Sequence, residues 1–161
     1  MNDHYPLNRA VIVTGAGSGL GRSMAIALAE VGCSVAAVDI NIDRLNDLSN
    51  ETQFFEGEIL PICLDISETP NCISIVEKTL ERFERVDALV NNAGVSIAII
   101  NPEFRRNKVM FWDVPEDKWD EMFDINVRAS FILAKTAAPL MIKQKWGRIV
   151  NVTTSLDTMI R

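Results

Sequence analysis

A glycine-rich turn stands where a first predicted strand meets a first predicted helix. The turn, residues 14–21, reads TGAGSGLG. Without Cβ atoms a turn of this kind lets a pyrophosphate approach the backbone, while free N–H groups and the positive end of the helix dipole face the negative charge. The turn therefore predicts a phosphate site. The alternative is a flexible turn whose glycines serve packing alone, since the spacing is Gly-x-x-x-Gly-x-Gly rather than G-x-G-x-x-G.

A carboxylate follows the second predicted strand. Asp39 stands about where a dinucleotide fold places the acid that binds both hydroxyls of the adenosine ribose. Such a carboxylate would repel the extra phosphate of NADP, and neither Ala16 nor Ser18 offers a compensating positive charge. The residues therefore favour NAD as the cofactor. The alternative for Asp39 is a helix N-cap.

The elements that position these residues alternate along the chain. Apolar runs rich in β-branched residues predict strands, with helical patterns between most of them. The runs are 10–14, 34–39, 59–64, 88–91 and 148–152. This alternation predicts an α/β fold with a doubly wound parallel sheet, and the length of 161 residues suggests one domain over residues 1–161.

Four helices are predicted between the strands. The first covers about 19–31, the second lies around 43–49, and the third has Thr69 as N-cap with Pro70 at the first helical position. The fourth runs from near 115 to about 140. Its inner stripe is predicted to contain Trp119, Met122, Phe123, Ser130 and Leu133.

Composition excludes several partners. A net charge of −6 provides no basic field for a phosphodiester backbone, so no nucleic-acid partner is expected. The longest uncharged apolar runs, such as 95–100, are too short to span a membrane, and a soluble cytoplasmic protein without a membrane partner is expected. Cys33, Cys63 and Cys72 are predicted to be buried reduced thiols. No metal site is expected, because His4 is the only histidine.

An irregular segment separates the fourth strand from the fourth helix. Residues 95–114 are too long for an ordinary turn, and they are predicted to rim a site. Arg105, Arg106 and Lys108 in this segment would suit an acidic substrate, but a solvated surface loop is the preferred interpretation.

A second motif gives the sequence a family resemblance. Residues 91–94 read NNAG, and together with the glycine-rich turn they resemble the short-chain dehydrogenase/reductase family, whose patterns are T-G-x-x-x-G-x-G and N-N-A-G. The resemblance extends through residues 65–66 and Asn126 to residues 147–152, GRIVNV. It implies a Rossmann-like sheet with strand order 3-2-1-4-5, an oxidoreductase acting on a small alcohol or carbonyl substrate, and a homo-oligomer, either a dimer or a tetramer. With NAD favoured by Asp39, an NAD-dependent oxidoreductase is expected.

The resemblance also implies roles for individual residues. Gly15, Ser18, Gly19 and Leu20 would surround the pyrophosphate of the cofactor, and Asp39 would bind its ribose. Asp65 and Ile66 would contact the adenine, and Asn92, Ala93 and Gly94 would form the neighbouring wall of the cofactor site.

Asn126 has two interpretations. It falls on the predicted apolar stripe of the fourth helix, where an unpaired amide would cost about 1 to 3 kcal/mol, so it needs a partner or a water. From the residues alone it is a satisfied core asparagine. The resemblance implies instead that it holds a water of the catalytic proton relay.

The sequence departs from the family after the fifth strand. The catalytic serine position falls on Thr154 by counting from 147–148 and on Ser155 by residue type, and Thr154 is preferred. The Tyr-x-x-x-Lys motif of the family has no counterpart, because Tyr5 is the only tyrosine. We therefore expect a fragment that lacks the final strands and helices and is inactive alone. The alternatives are a short NAD-binding or interaction module without catalysis and, less favoured because of residues 91–94, an S-adenosylmethionine-dependent methyltransferase.

Overall fold

A computed structural model describes residues 8–153, which build a parallel five-stranded sheet. The strands are β1 Ala10–Thr14, β2 Ser34–Asp39, β3 Ile59–Cys63, β4 Ala88–Asn91 and β5 Arg148–Asn151. Their order is β3-β2-β1-β4-β5, and every pairing is parallel. The predicted Rossmann-like α/β fold with strand order 3-2-1-4-5 is confirmed.

Helices cover both faces of this sheet. They are α1 Gly19–Glu30, α2 Ile42–Glu51, α3 Thr69–Phe83, α4 Glu116–Phe123 and α5 Ala129–Lys143, and a π-helical turn, Asp124–Arg128, joins the last two into one long helix. Short 3₁₀ turns lie at Ile97–Ile99 and Phe111–Asp113.

The start of α3 differs from the prediction by one residue. Thr69 is the first helical residue and Glu68, in extended conformation, is the N-cap. The reason is that the first turn closes on the Glu68 carbonyl, which accepts from the N–H groups of Asn71 and Cys72 at 3.0 and 3.3 Å. The prediction of Thr69 as the cap was therefore wrong.

The core has one layer on each face of the sheet because successive strand residues point to opposite sides. Ile12 and Ala36 pack with α3 and α5 on one face, whereas Val13 and Val35 pack with α1 and α2 on the other. The carboxyl ends of the strands are left free to carry a site.

The inner stripe of the long helix was predicted only in part. Leu133 is buried, and Met122 and Ser130 are half-buried, but Trp119 and Phe123 are 55% and 46% exposed. The π-turn inserts an extra residue between α4 and α5, so a stripe extrapolated at 3.6 residues per turn does not stay on one face. The buried positions of α5 are Ala129, Leu133, Ala137 and Met141.

The same long helix has the length and apolar composition of a membrane span. Residues 116–143 number 28, and their most apolar window has a mean hydropathy of 1.2. Of that window 22% is buried, less than in a core helix of a soluble protein that passes the same test. Because Leu133 and Ala137 are buried against the rest of the core, the helix is part of the domain packing.

The three thiols do not share one environment. Cys33 and Cys72 are buried, and burial raises the pKa of both, that of Cys72 to about 11. Cys63 is exposed, contrary to the prediction, because it lies at the end of the edge strand β3.

A buried ion cluster closes the opposite end of the sheet. The Asp87 carboxylate is fully buried and accepts from Arg9 at 2.9 Å, from Arg85 at 2.6 and 2.8 Å, and from the Ala10 N–H at 2.8 Å. The Arg9 guanidinium also lies 3.8 Å from the centre of the Trp146 ring. Burial alone would raise the pKa of Asp87, but the hydrogen bonds from Arg85, Ala10 and Arg9 outweigh it and hold this pKa below its ordinary value.

Candidate functional site

The main cleft opens at the carboxyl ends of the strands. The order reverses between β1 and β4, which is where open α/β sheets bind ligands. A cavity of about 650 Å³ lies there. It is lined by all ten residues predicted to contact a cofactor: Gly15, Ser18, Gly19, Leu20, Asp39, Asp65, Ile66, Asn92, Ala93 and Gly94.

The glycines of the turn have different structural reasons. Gly15 and Gly19 have φ of +67° and +53°, in the left-handed region. A Cβ on Gly21 would lie 2.2 Å from the Gly15 carbonyl oxygen, so Gly21 is required for packing. A Cβ on Gly19 would meet nothing within 4 Å. Packing alone therefore does not explain the turn.

The N-terminus of α1 presents unpaired N–H groups to this cleft. The first helical bond runs from the Arg22 N–H to the Ser18 carbonyl at 3.1 Å, so the N–H groups of Gly19, Leu20 and Gly21 precede the hydrogen-bonded ladder. Ser18, Gly19 and Leu20 are all exposed on the cleft side. This arrangement suits an anion such as a pyrophosphate.

Asp39 is held at the end of β2 by backbone groups. Its Oδ2 accepts from the Gly17 N–H at 2.9 Å, and its Oδ1 accepts from the Asn41 N–H at 3.0 Å. The N-cap of α2 is Asn41, whose Oδ1 accepts from the Arg44 N–H at 3.0 Å. The helix-cap alternative for Asp39 is therefore wrong. Arg44 lines the cleft as well, and it was not predicted because it lies on α2, outside the glycine-rich turn.

Thr14 joins the two sequence motifs. Its buried hydroxyl accepts from the N–H groups of Asn92 and Ala93, both at 3.0 Å, and donates to the Val90 carbonyl at 3.3 Å. The Asn92 side-chain amide donates in turn to the Thr14 carbonyl at 2.9 Å. These bonds fix residues 91–94 against the glycine-rich turn, a role of Thr14 that was not predicted from the sequence.

Asn126 lies in the π-turn and is exposed rather than buried. Its Oδ1 accepts from the Val95 N–H and its Nδ2 donates to the Val95 carbonyl, both at 2.8 Å. The expectation that Asn126 is a core residue is therefore wrong, because its partner is the loop backbone that follows Gly94. The side chain is paired and its position is fixed beside the cleft.

A second cavity, of about 370 Å³, adjoins the first between the ends of β4 and β5 and the long helix. Asn126, Ser130 and Thr153 line it, together with a pair of amides in which Asn91 Nδ2 donates to Asn151 Oδ1 at 2.9 Å. The candidate catalytic hydroxyls Thr154 and Ser155 lie outside the described residues. Thr153, immediately before them, is at the cavity wall.

The irregular segment contributes to the cleft only through its first residues. Val95 and Ile99 line the main cavity. Arg105, Arg106 and Lys108 are exposed, line neither of the two cavities, and form no ion pair within residues 8–153. The described part of the chain also contains no group of three or more His, Cys, Asp or Glu that could hold a metal ion.

Comparison with known proteins identifies the family. The model of the short chain dehydrogenase family matches residues 9–159, so the chain belongs to that family. It is 30% identical to a 3-oxoacyl-[acyl-carrier-protein] reductase of Thermotoga maritima over 146 residues, which are 91% of this chain and 55% of that protein. It is 31% identical to the 2-dehydro-3-deoxy-D-gluconate 5-dehydrogenase of Dickeya dadantii over 150 residues, 92% of this chain and 54% of that protein.

Solved structures agree with this assignment. A metagenomic short-chain oxidoreductase in complex with NADP superposes with a TM-score of 0.83 at 26% identity, covering 93% of this chain and 64% of that one. A 7α-hydroxysteroid dehydrogenase complexed with NADH and 7-oxo glycochenodeoxycholic acid gives 0.80 at 30% identity, covering 92% and 54%. The chain spans about half the length of the curated relatives it matches.

Proposed function

We propose that the protein is an NAD-dependent oxidoreductase that moves hydride between nicotinamide and an alcohol or carbonyl carbon of a small molecule. Membership of the short-chain dehydrogenase family supports oxidoreductase chemistry. The proposal of NAD rests on one observation. The Asp39 carboxylate lines the main cleft and is oriented there by two backbone N–H groups.

The residues of the cleft fit this cofactor. The open side of Gly19 and the N–H groups at the start of α1 suit the pyrophosphate. Asp39 can accept from both ribose hydroxyls, while its charge opposes a 2′-phosphate. When bound, NAD supplies the hydride acceptor. Similar structures contain NADP in one case and NADH in another, so the fold does not decide between the two cofactors. The proposal of NAD rests on Asp39.

Asn126 and one hydroxyl of Thr154 or Ser155 complete the proposed catalytic set. Asn126 would hold a water for proton transfer, in the position fixed by its bonds to Val95. Thr154 would donate to the substrate oxygen as charge develops on it. The proton donor of the family, Tyr-x-x-x-Lys, has no counterpart in these 161 residues, so this chain alone is proposed to be inactive.

Hydride transfer in the full protein tests these roles. We expect Thr154→Ala to lower kcat/KM about 100-fold or more, the usual effect of removing a donor to a developing oxyanion, and Ser155→Ala to lower it less than about tenfold. A larger loss of kcat/KM in Ser155→Ala than in Thr154→Ala would show that Ser155 donates to the substrate oxygen. Enzyme-like turnover by residues 1–161 alone would contradict the proposed dependence on the family's tyrosine.

A second candidate function is an NAD-binding or interaction module without catalysis. It is supported by the main cleft, where all the proposed cofactor contacts lie within the described part of the chain. The same assay separates the two, since a full protein that binds NAD but transfers no hydride with any alcohol or carbonyl compound would be such a module.

A homo-oligomer is also proposed, on the exposed face of the long helix. Trp119, Phe123, Val127 and Phe131, the apolar stripe, recur every four residues and are 46–61% exposed. Charges along this helix are divided between acidic and basic halves. The acidic residues are Glu116, Asp117, Asp120, Glu121 and Asp124, with Lys118 the one cation among them, and the basic residues are Arg128, Lys135 and Lys143.

This division favours antiparallel pairing with a second copy. A two-fold axis at Val127 would set Phe123 against Phe131 of the second copy and Trp119 against its Lys135, a cation–π pair. Each acidic half would then face a basic half. A cytoplasmic location, and the absence of nucleic-acid and membrane partners, stay predictions from the sequence.

A further inference from the structure

Gly17 is in direct contact with the carboxylate on which the proposed cofactor choice depends. Its N–H donates to Asp39 Oδ2 at 2.9 Å. A Cβ at residue 17 would lie 2.7 Å from Asp39 Cγ and 2.8 Å from Asp39 Oδ2. Cβ contacts this short essentially never occur, so any side chain at this position must displace the carboxylate. Gly17 occupies an unspecified position of T-G-x-x-x-G-x-G, and the pattern itself gives it no role.

Arg44 lies on the other side of the same contact. The Cβ that would strike Asp39 would also come within 3.1 Å of Arg44 Cβ. Arg44 is in the first turn of α2, where its N–H is bonded to the Asn41 cap, and it lines the main cleft. Among residues 8–153 it has no ion-pair partner. An acid and a cation without an ion-pair partner among the described residues therefore line the same cleft, and backbone N–H groups hold the acid.

We propose that Gly17 is a specificity-determining positioning residue. Its N–H holds the Asp39 carboxylate in the cleft, where the carboxylate binds the two ribose hydroxyls and prevents Arg44 from binding a 2′-phosphate. This inference rests on the proposed function. A carboxylate held in this way accepts from the two hydroxyls and repels a phosphate. Once the carboxylate is displaced, the guanidinium of Arg44, which lines the same cleft, supplies the charge and the donors that a phosphate binds.

The affinities of NAD and NADP for the chain, measured by calorimetry, test this inference. We expect the wild type to prefer NAD at least about tenfold and Gly17→Ala to reduce that preference at least about tenfold, through weaker NAD and tighter NADP binding. Adding Arg44→Gln to Gly17→Ala should abolish the gain for NADP. Lys78→Gln, the loss of an exposed cation on α3, is the matched control and should leave the ratio unchanged.

Should Gly17→Ala fail to fold, Asp39→Asn tests the opposed roles of Asp39 and Arg44 without altering the turn, and the exchange of the Gly17 amide tests the role of Gly17. Asp39→Asn also should gain NADP affinity, and Arg44→Gln should again remove the gain. A preference in Gly17→Ala within twofold of the wild type, or an NADP gain that survives Arg44→Gln, would overturn the inference.

Hydrogen exchange of the Gly17 amide tests its bond to Asp39 without any nucleotide. We expect slow exchange in the wild type and fast exchange in Asp39→Ala. Fast exchange in a wild type that binds NAD would overturn the role of Gly17 and leave the proposed function standing. Slow exchange in a wild type that binds neither nucleotide would overturn the proposed function, and the specificity role of Gly17 with it.

Discussion

Thr14 illustrates how single buried groups organise the site. One hydroxyl satisfies two N–H groups of the loop after β4 and bonds the Val90 carbonyl, at the point where the two sequence motifs meet. A buried N–H without a partner costs about 1 to 3 kcal/mol, so this hydroxyl stabilises the crevice itself. At the residue scale, the cleft is held open by hydrogen bonds between backbone and short polar side chains.

Asp87 makes stability depend on pH at the opposite end of the sheet. Its pKa is lowered in the folded chain, so its contribution to stability is present above the unfolded pKa of about 3.9 and is lost as pH falls through the lower folded value. We expect the wild type to lose stability relative to Asp87→Asn as pH falls from about 5 towards 2. Urea unfolding at a series of pH values measures this difference.

Asp47→Asn is the control for Asp87, because Asp47 is exposed and has no ion pair within the described residues. Its pH profile should follow the wild type. Parallel profiles for the wild type and Asp87→Asn would show that the buried cluster does not supply the acid sensitivity.

Side-chain partners at the residue scale were the least predictable feature. Asp39 and the glycine-rich turn were found from the sequence because their order and spacing are local. Thr14 and Asp87 were missed because their roles come from contacts between strands, such as the bond between Thr14 and Asn92, and Arg44 was missed because it lies on α2, outside the glycine-rich turn. Asn126 was expected to be buried, but it bonds an exposed loop.

At the element scale, the approach of α1 to the strand ends depends on Gly21. A Cβ there would strike the Gly15 carbonyl, whereas one on Gly19 would meet open space and strain only its positive φ. We expect Gly21→Ala to destabilise the fold by about 1 to 3 kcal/mol, through overpacking, and Gly19→Ala by about 1 kcal/mol. Chemical denaturation of the pair measures both values. Equal losses would show that backbone conformation, not packing, limits the turn.

Element boundaries were predictable where the signal is local. The strands agree closely with the apolar runs, and α1 begins at Gly19 as expected. The inner stripe of the long helix could not be predicted, because the π-turn at Asp124–Arg128 changes the helical period. The turn contains no proline or glycine that would signal a break. Trp119 and Phe123 consequently lie on the exposed face.

At the scale of the whole molecule, the strand order followed from the family resemblance, since alternation alone predicts a parallel sheet but not its order. The sequence could not show that the apolar stripe is exposed, because that depends on what packs against the helix. The exposed stripe is the physical basis for proposing a second copy.

The oligomer proposal makes a direct prediction about mass in solution. Phe123→Asp should convert a dimer of the chain into monomers, because each two-fold contact would gain two buried, unpaired carboxylates. Phe54→Asp, which changes a ring that is 89% exposed outside the stripe, is the matched control and should stay dimeric. Light scattering after gel filtration gives the masses, and a monomeric wild type would contradict the proposal.

Calorimetric titration of NAD into residues 1–161 and into Asp39→Ala tests most directly whether Asp39 binds the cofactor. We expect saturable binding to the wild type and at least about tenfold weaker binding to the variant, since a hydrogen bond to a charged group contributes about 1.5 to 3 kcal/mol. A folded wild type that does not bind NAD, or binding of equal strength by Asp39→Ala, would contradict this expectation.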